Sequence, residues 1–385
     1  MGDSMGSAGS SEELRFRPSA SPVEVERLRQ YLVDALQRGA TDIHLRAGDA
    51  VYARVNGKLT PLETPVLTAV STFEMVTHIL STSVNAPNID AVRDYSGPWS
   101  APGVARFRVS ILRQRSSFAI VMRVVPSVVP TLHELALPPA LGDAVLSSAF
   151  GLVFVSGVPG SGRTSTLAAL VHHLNANSQE RRHVVVIESA IEFLHKNDKC
   201  SITQREVGVD TDNFAEGMRA ALEQDADVIV VGELDDPELI QLAVRASEAG
   251  RLVIGKFIAP DATATLRSFF NGLPAEQQDA ARLHASEMLR AVVSQRLLPR
   301  ADGHGRVLAA ELLVMTPLVR EVISDAGRLA EIRPALAEGR AEFGTQTFDQ
   351  NLADLVISGR VSFEVALTLA TNSLDFELQL RGLRR

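Results

Sequence analysis

The stretch Gly151–Thr166, GLVFVSGVPGSGRTST, constrains the fold more than any other, because an apolar run leads into a glycine-rich turn and then into a helix-forming segment. Leu152 to Val155 read as a buried parallel strand. Gly157, Gly160 and Gly162 let the backbone turn tightly and aim successive N–H groups at an anion. The helix expected over Thr166–Leu174 adds its N-terminal amides and dipole to the same point. The spacing is that of a phosphate-binding loop, G-x-x-x-x-G-K-[ST], with Arg163 in the lysine position. Ser161 and Ser165 belong to the same candidate phosphate-binding set, and Thr164 keeps the hydroxyl expected to ligate the Mg²⁺ of a bound nucleotide. Charge is retained at position 163 but shape is not: lysine is a slim stem ending in a point charge, arginine a planar fork that needs more room.

At 385 residues the chain has room for two domains and a tail, and 45% hydrophobic residues suffice for substantial cores. The formal charge of −8 and an aromatic content of 5% argue against nucleic acid as a partner, since little is left for phosphate tracking or base stacking. One cysteine, Cys200, excludes an internal disulfide and a cysteine-clustered zinc site, and suits a reducing compartment. The first residues lack the apolar core of a signal peptide, and no apolar stretch of spanning length occurs. A cytoplasmic location is expected, with any attachment to a membrane made through partners.

Residues 1–21 are rich in serine, glycine and acidic side chains and read as a disordered tail. Residues 22–126 read as a small α+β domain. Its first helix carries Val23, Val25, Leu28, Tyr31, Leu32 and Leu36 at helical spacing and stops at Gly39. Alternating segments follow around Gly48-Asp49 and the Asn56-Gly57 turn, then a helix near Ser71–Leu80 and strands over Ala105–Leu112 and Ser117–Val125. The proline-bearing residues 127–140 read as a linker. Residues 141–385 alternate short apolar runs with helical patterns, which predicts an α/β domain with a mainly parallel sheet. Strands are expected at Leu152–Val155, Val184–Ile187, Val228–Val231, Leu252–Ile254 and Val307–Leu313, with a helix over Pro237–Ala249 and a helical segment from Thr316 onward.

A phosphate cradle needs carboxylates beside it, to hold a metal through water or to activate the attacking water. Glu233 follows the run Val228–Val231 and Gly232, and Glu188 follows VVVI at the corresponding end of another strand. Both are expected on strands flanking the loop.

These residues resemble the type IV pilus retraction ATPases, the PilT-like branch of the secretion ATPases. The likeness runs from ATDIHLRAG and ARFRVSILRQR through GLVFVSGVPGSGRTSTLAAL and QREVGVDTDNFAEGMRAALEQDADVIVVGE to VVSQRLLPR and GTQTFDQNLADLV. The resemblance implies a PAS-like N-terminal domain, a RecA-like ATPase domain and a hexameric ring, homo-oligomeric or mixed with a related ATPase. It implies ATP and Mg²⁺ as ligands and Glu233 and Glu188 as catalytic carboxylates. It also implies arginines of the N-terminal domain, from Arg106, Arg108, Arg115 and Arg123 on alternating strands, reaching a nucleotide held by another subunit. Docking on the inner-membrane platform of the pilus machine, from the cytoplasmic side, follows in the same way.

Three segments depart from the family pattern. Arg163 replaces the loop lysine; IESAIEF, with Ser189 and Ala190, stands for IEDPIEF; and KFIA stands for a segment close to TLHT, which puts Ile258 at the histidine and Lys256 at a small polar position. An aliphatic side chain cannot donate a hydrogen bond to a phosphate. Loss of a positioned acid or base costs about 10²- to 10⁴-fold and of a cationic stabiliser about 10³- to 10⁵-fold in rate. A ring ATPase with weakened hydrolysis is therefore expected, with a non-hydrolysing auxiliary subunit as the alternative.

Overall fold

The computed structural model describes residues 20–55, 57–83, 86–126, 128–303 and 305–383; the expected tail, but for its last two residues, and Asn56 of the expected turn lie outside them. The chain divides into two compact units after Val125.

The first unit holds a six-stranded antiparallel sheet in the order β3-β2-β1-β6-β5-β4, where β1 is Ala40–Arg46, β2 Tyr52–Val55, β3 Lys58–Pro61, β4 Asp94–Ala101, β5 Ala105–Gln114 and β6 Ser117–Val125. Val55 pairs with Lys58, so the β2–β3 turn is the two-residue kind expected, and Gly57 takes the positive φ of 79° that such a turn needs. On β5 the alternation is clean: Phe107, Val109 and Ile111 are buried while Arg108 and Ser110 are exposed. The buried face packs with Leu28 and Leu32 of helix Pro22–Gln37 and Met75, Val76 and Ile79 of helix Ala69–Thr82. Val23, expected on the apolar face of the first helix, is exposed.

The second unit is built on a seven-stranded sheet in the order β13-β12-β7-β11-β10-β8-β9. Its strands are β7 Gly151–Gly157, β8 His183–Glu188, β9 Ser201–Glu206, β10 Val228–Val231, β11 Leu252–Phe257, β12 Leu289–Pro299 and β13 Arg306–Val314. Only the β12–β13 pair is antiparallel. The expected strands lack alternation because both faces are covered. Leu152, Phe154, Ile229 and Val253 join one core, whereas Val153, Val155, Val228, Leu252 and Ile254 join another with Leu167 and Leu170 of helix Arg163–Asn177.

Two results differ from expectation. Leu132 and Leu137 are buried in the second of those cores, so most of the stretch read as a linker is a packed part of the second unit. The sequence reading also missed β9 and β12. The first is polar apart from Ile202, and the second has its apolar run broken by Ser294, Gln295 and Arg296. The helical end after Thr316 is present as expected, in pieces that include Pro317–Ser324, Phe348–Ile357 and Ser373–Leu383.

Candidate nucleotide site

The loop after β7 has the form its glycines require. Gly160 and Gly162 sit at φ 81° and 93°, in the left-handed region that side chains disfavour, and Gly162 caps the helix that starts at Arg163, three residues before its expected beginning. A Cβ on Gly157 would lie 2.3 Å from Ser161 Oγ and 2.7 Å from the Gln295 carbonyl oxygen, so only glycine lets the loop close. Thr164 and Ser165 stand half-buried in the first helical turn, where amides have no partner within the helix. Ser161 Oγ is buried and makes no hydrogen bond within the chain. The polar residues of β12 that hid it as a strand serve this loop: Ser294 and Ser156 hydroxyls lie 2.7 Å apart, and Gln295 donates through Nε2 to Thr166 Oγ1 at 2.7 Å. These anchors were missed by sequence reasoning, although a Ser-Gln pair inside an apolar strand was a readable signal.

Sheet order corrects the expected placement of the carboxylates. β7 is flanked by β11 and β12, so the strands bearing Glu233 and Glu188 are not its neighbours, and β11 stands between. A chain reads out the C-terminal ends of its strands but not the order in which hydrogen bonding lines them up. Glu188 is buried, 7% exposed. Burial pushes its carboxyl up to about 7, helped by Glu192 and Glu206 and opposed by Lys256. Glu233 is exposed beyond the end of β10.

Arg163 does not stand free over the loop. Its guanidinium donates through Nη1 to the Phe257 carbonyl oxygen at 2.6 Å, at the end of β11. Burial lowers its pKa, against the pull of Asp235 and Glu233. An ammonium reaches the loop from β11: Lys256 pairs in register with Val155 and donates through Nζ to Thr164 Oγ1 at 3.3 Å. Burial lowers its pKa too, while Glu188, Glu192 and Glu233 raise it and Arg163 lowers it further.

The expected Mg²⁺ ligand is thus already engaged by a cation. An ammonium offers no lone pair, and magnesium requires oxygen donors in near-octahedral array. A magnesium at its usual ~2.1 Å from that hydroxyl would lie no more than about 5.5 Å from the ammonium, where, before any phosphate charge is counted, the two cations repel by about 6 kcal/mol at an effective dielectric constant near 20. With Lys256 so placed, Thr164 does not fit the metal role. Ile258, at the expected histidine position, is 57% exposed.

The arginines of the first unit divide. Arg106 and Arg108 lie on the outer side of β5, and Arg123 of β6 pairs in register with Arg108 on the same side. Arg123 donates through Nε to Asp42 Oδ1 at 2.9 Å while its side chain stays 73% exposed. Burial raises the Asp42 carboxyl, but its bonds from Arg123 and Thr41 outweigh that and hold it below the usual range. Arg115 is not on a strand, contrary to expectation: with Ser116 it forms the β5–β6 turn, at φ 44° and 59°.

Residues 19–364 match the family described as type II/IV secretion system protein. The chain is 34% identical over 365 residues to the type IV pilus ATPase PilU of Pseudomonas aeruginosa, covering 93% of this chain and 92% of the relative. It is 35% identical over 339 residues to the type IV pilus retraction ATPase PilT of the same organism, covering 88% and 96%. A crystal structure of the pilus retraction motor PilT with bound ADP aligns with a TM-score of 0.79 at 32% identity, over 92% of this chain and 98% of that one. By sequence and by fold, this chain belongs to the type II/IV secretion system protein family, as one of its PilT-like ATPases.

Proposed function

We propose that this chain is a nucleotide-binding subunit of a type IV pilus motor, working in pilus retraction and twitching motility with weakened ATP hydrolysis. The observation that supports it most is a closed glycine cradle at the end of β7, in a chain alike over most of its length to PilT of Pseudomonas aeruginosa and to an ADP-bound PilT structure. ATP phosphates would lie against the amides from Gly160 to Ser165, with Glu233 and Glu188 as the catalytic carboxylates and Arg106, Arg115 and Arg123 supplied to a neighbouring subunit. A hexamer on the pilus inner-membrane platform, held from the cytoplasmic side, is the assembly this reading calls for. Among the described residues no helix is long and apolar enough to cross a membrane. The Mg²⁺ expected at Thr164 is given no role, because of Lys256.

The second reading is a non-hydrolysing auxiliary subunit that joins or docks beside a competent ring. It is favoured by the tether of Arg163 to the Phe257 carbonyl, which takes up part of the fork expected to replace the loop lysine. ATP turnover by the purified protein, measured beside Arg163→Lys/Ile258→His, separates the two. The motor reading expects slow but measurable turnover that rises about 10²-fold or more in the double variant. Turnover indistinguishable from background in both proteins would leave only the auxiliary role, and equal brisk turnover in both would overturn the weakening.

A further inference from the structure

Lys256 is the residue in the site that its phosphate loop does not account for. Leu252 and Ile254 of β11 face the core shared with the helix that follows the loop, and Lys256 continues that face at the strand's C-terminal end. It is half-buried there, under the field of Glu188, Glu192 and Glu233, and bonded to the Thr164 hydroxyl that the loop spacing assigns to a metal. Two features argue against a merely structural role. A lysine placed only to neutralise Glu188 has no need of the Thr164 hydroxyl, and Arg163, the loop's own cation, is held by the very next residue of the same strand.

We infer that Lys256 takes the place of the divalent cation, so that this chain binds nucleoside phosphates through an ammonium lent by β11 and does so without magnesium. The inference rests on the nucleotide-binding reading above. A protonated lysine carries three donors, of which the Thr164 contact uses one, and the others are free to meet phosphate oxygens. What the ammonium cannot do is bridge two phosphates with the charge and ligand geometry of a metal, so it supports binding better than transfer. A slow site that still holds nucleotide follows from that difference.

The test is an anisotropy titration of the full chain with N-methylanthraniloyl-ATP, once with excess Mg²⁺ and once with EDTA. Wild-type affinity is expected to change less than about threefold between the two, whereas Lys256→Thr should bind at least about tenfold more tightly with Mg²⁺ than with EDTA. Lys256→Met, which removes the charge but keeps the bulk, should lose about tenfold or more with EDTA, where no metal can replace the ammonium. Far-UV circular dichroism checks that each variant is folded; if Lys256→Thr is not, the wild-type and Lys256→Met titrations decide. A wild-type affinity that drops about threefold or more on chelation overturns the inference while leaving nucleotide binding intact, as does unchanged affinity of Lys256→Met with EDTA. Saturable binding absent from the wild type in both conditions instead overturns the nucleotide reading itself.

Discussion

At the scale of single residues, the loop was legible and its surroundings were not. Gly157, Gly160, Gly162 and Thr164 announce a phosphate cradle because their spacing follows from backbone geometry, which is local. That Arg163 would bond Phe257, or that Lys256 would reach Thr164, depends on residues some 90 positions away in the chain, brought alongside by strand order. Glu311 makes the same point and yields a prediction. It is buried on β13, accepts from the Ala262 amide at 2.8 Å, and lies near Asp261 and Arg296. Burial pushes its carboxyl up from 4.5 to about 7, against the amide bonds that lower it. Because the folded protein holds this proton more tightly than the unfolded chain, the stabilisation it gives is complete below about pH 4.5 and is lost as pH rises to about 7. Glu311→Gln removes that dependence. Denaturant unfolding across this range should show the wild type losing ground to the variant by at most about 3 kcal/mol, all of it below about pH 7. A constant difference at every pH would contradict the assignment.

At the scale of elements, helices were read well where caps and punctuation were local. Helix Pro237–Glu248 begins after Asp236, whose side chain accepts from the Glu238 amide, and ends before Gly250 at φ 86°. Helix Phe348–Ile357 carries a reciprocal capping box, in which Thr347 accepts from the Gln350 amide at 3.2 Å and Gln350 accepts from the Thr347 amide at 3.1 Å. Thr347→Ala should therefore cost about 1 kcal/mol and Thr347→Ser a few tenths at most, read from urea midpoints at unchanged slope. Equal stability of the alanine and serine variants would show that the helix is held by packing alone. β12 escaped because its polar residues serve tertiary partners: Ser294 and Gln295 make sense only beside Ser156 and Thr166.

At the scale of the whole molecule, each compact unit buries apolar clusters of its own, which implies two folding units. The single tryptophan, Trp99, lies in the first, buried, with its indole N–H donated to Thr82 Oγ1 at 2.9 Å. Its emission therefore reports the first unit alone, whereas far-UV circular dichroism reports both. Denaturant curves from the two probes should have different midpoints, and coincident normalised curves would mean that the units unfold as one.

By itself the sequence determined the elements whose causes are near neighbours: the loop, the proline and glycine that bound helix Pro237–Glu248, the turn at Gly57, the apolar runs and the division between an antiparallel and a parallel part. It also carried the family, through motifs that survive in order along the chain. Only the tertiary structure decided which strand stands beside the loop. β11 and β12, not β8 or β10, are the neighbours of β7, and with β11 came a lysine at the hydroxyl meant for a metal. The physical reason is that hydrogen-bonded strand order is a long-range choice of whole-core packing, and the electrostatics of a site follow from that choice.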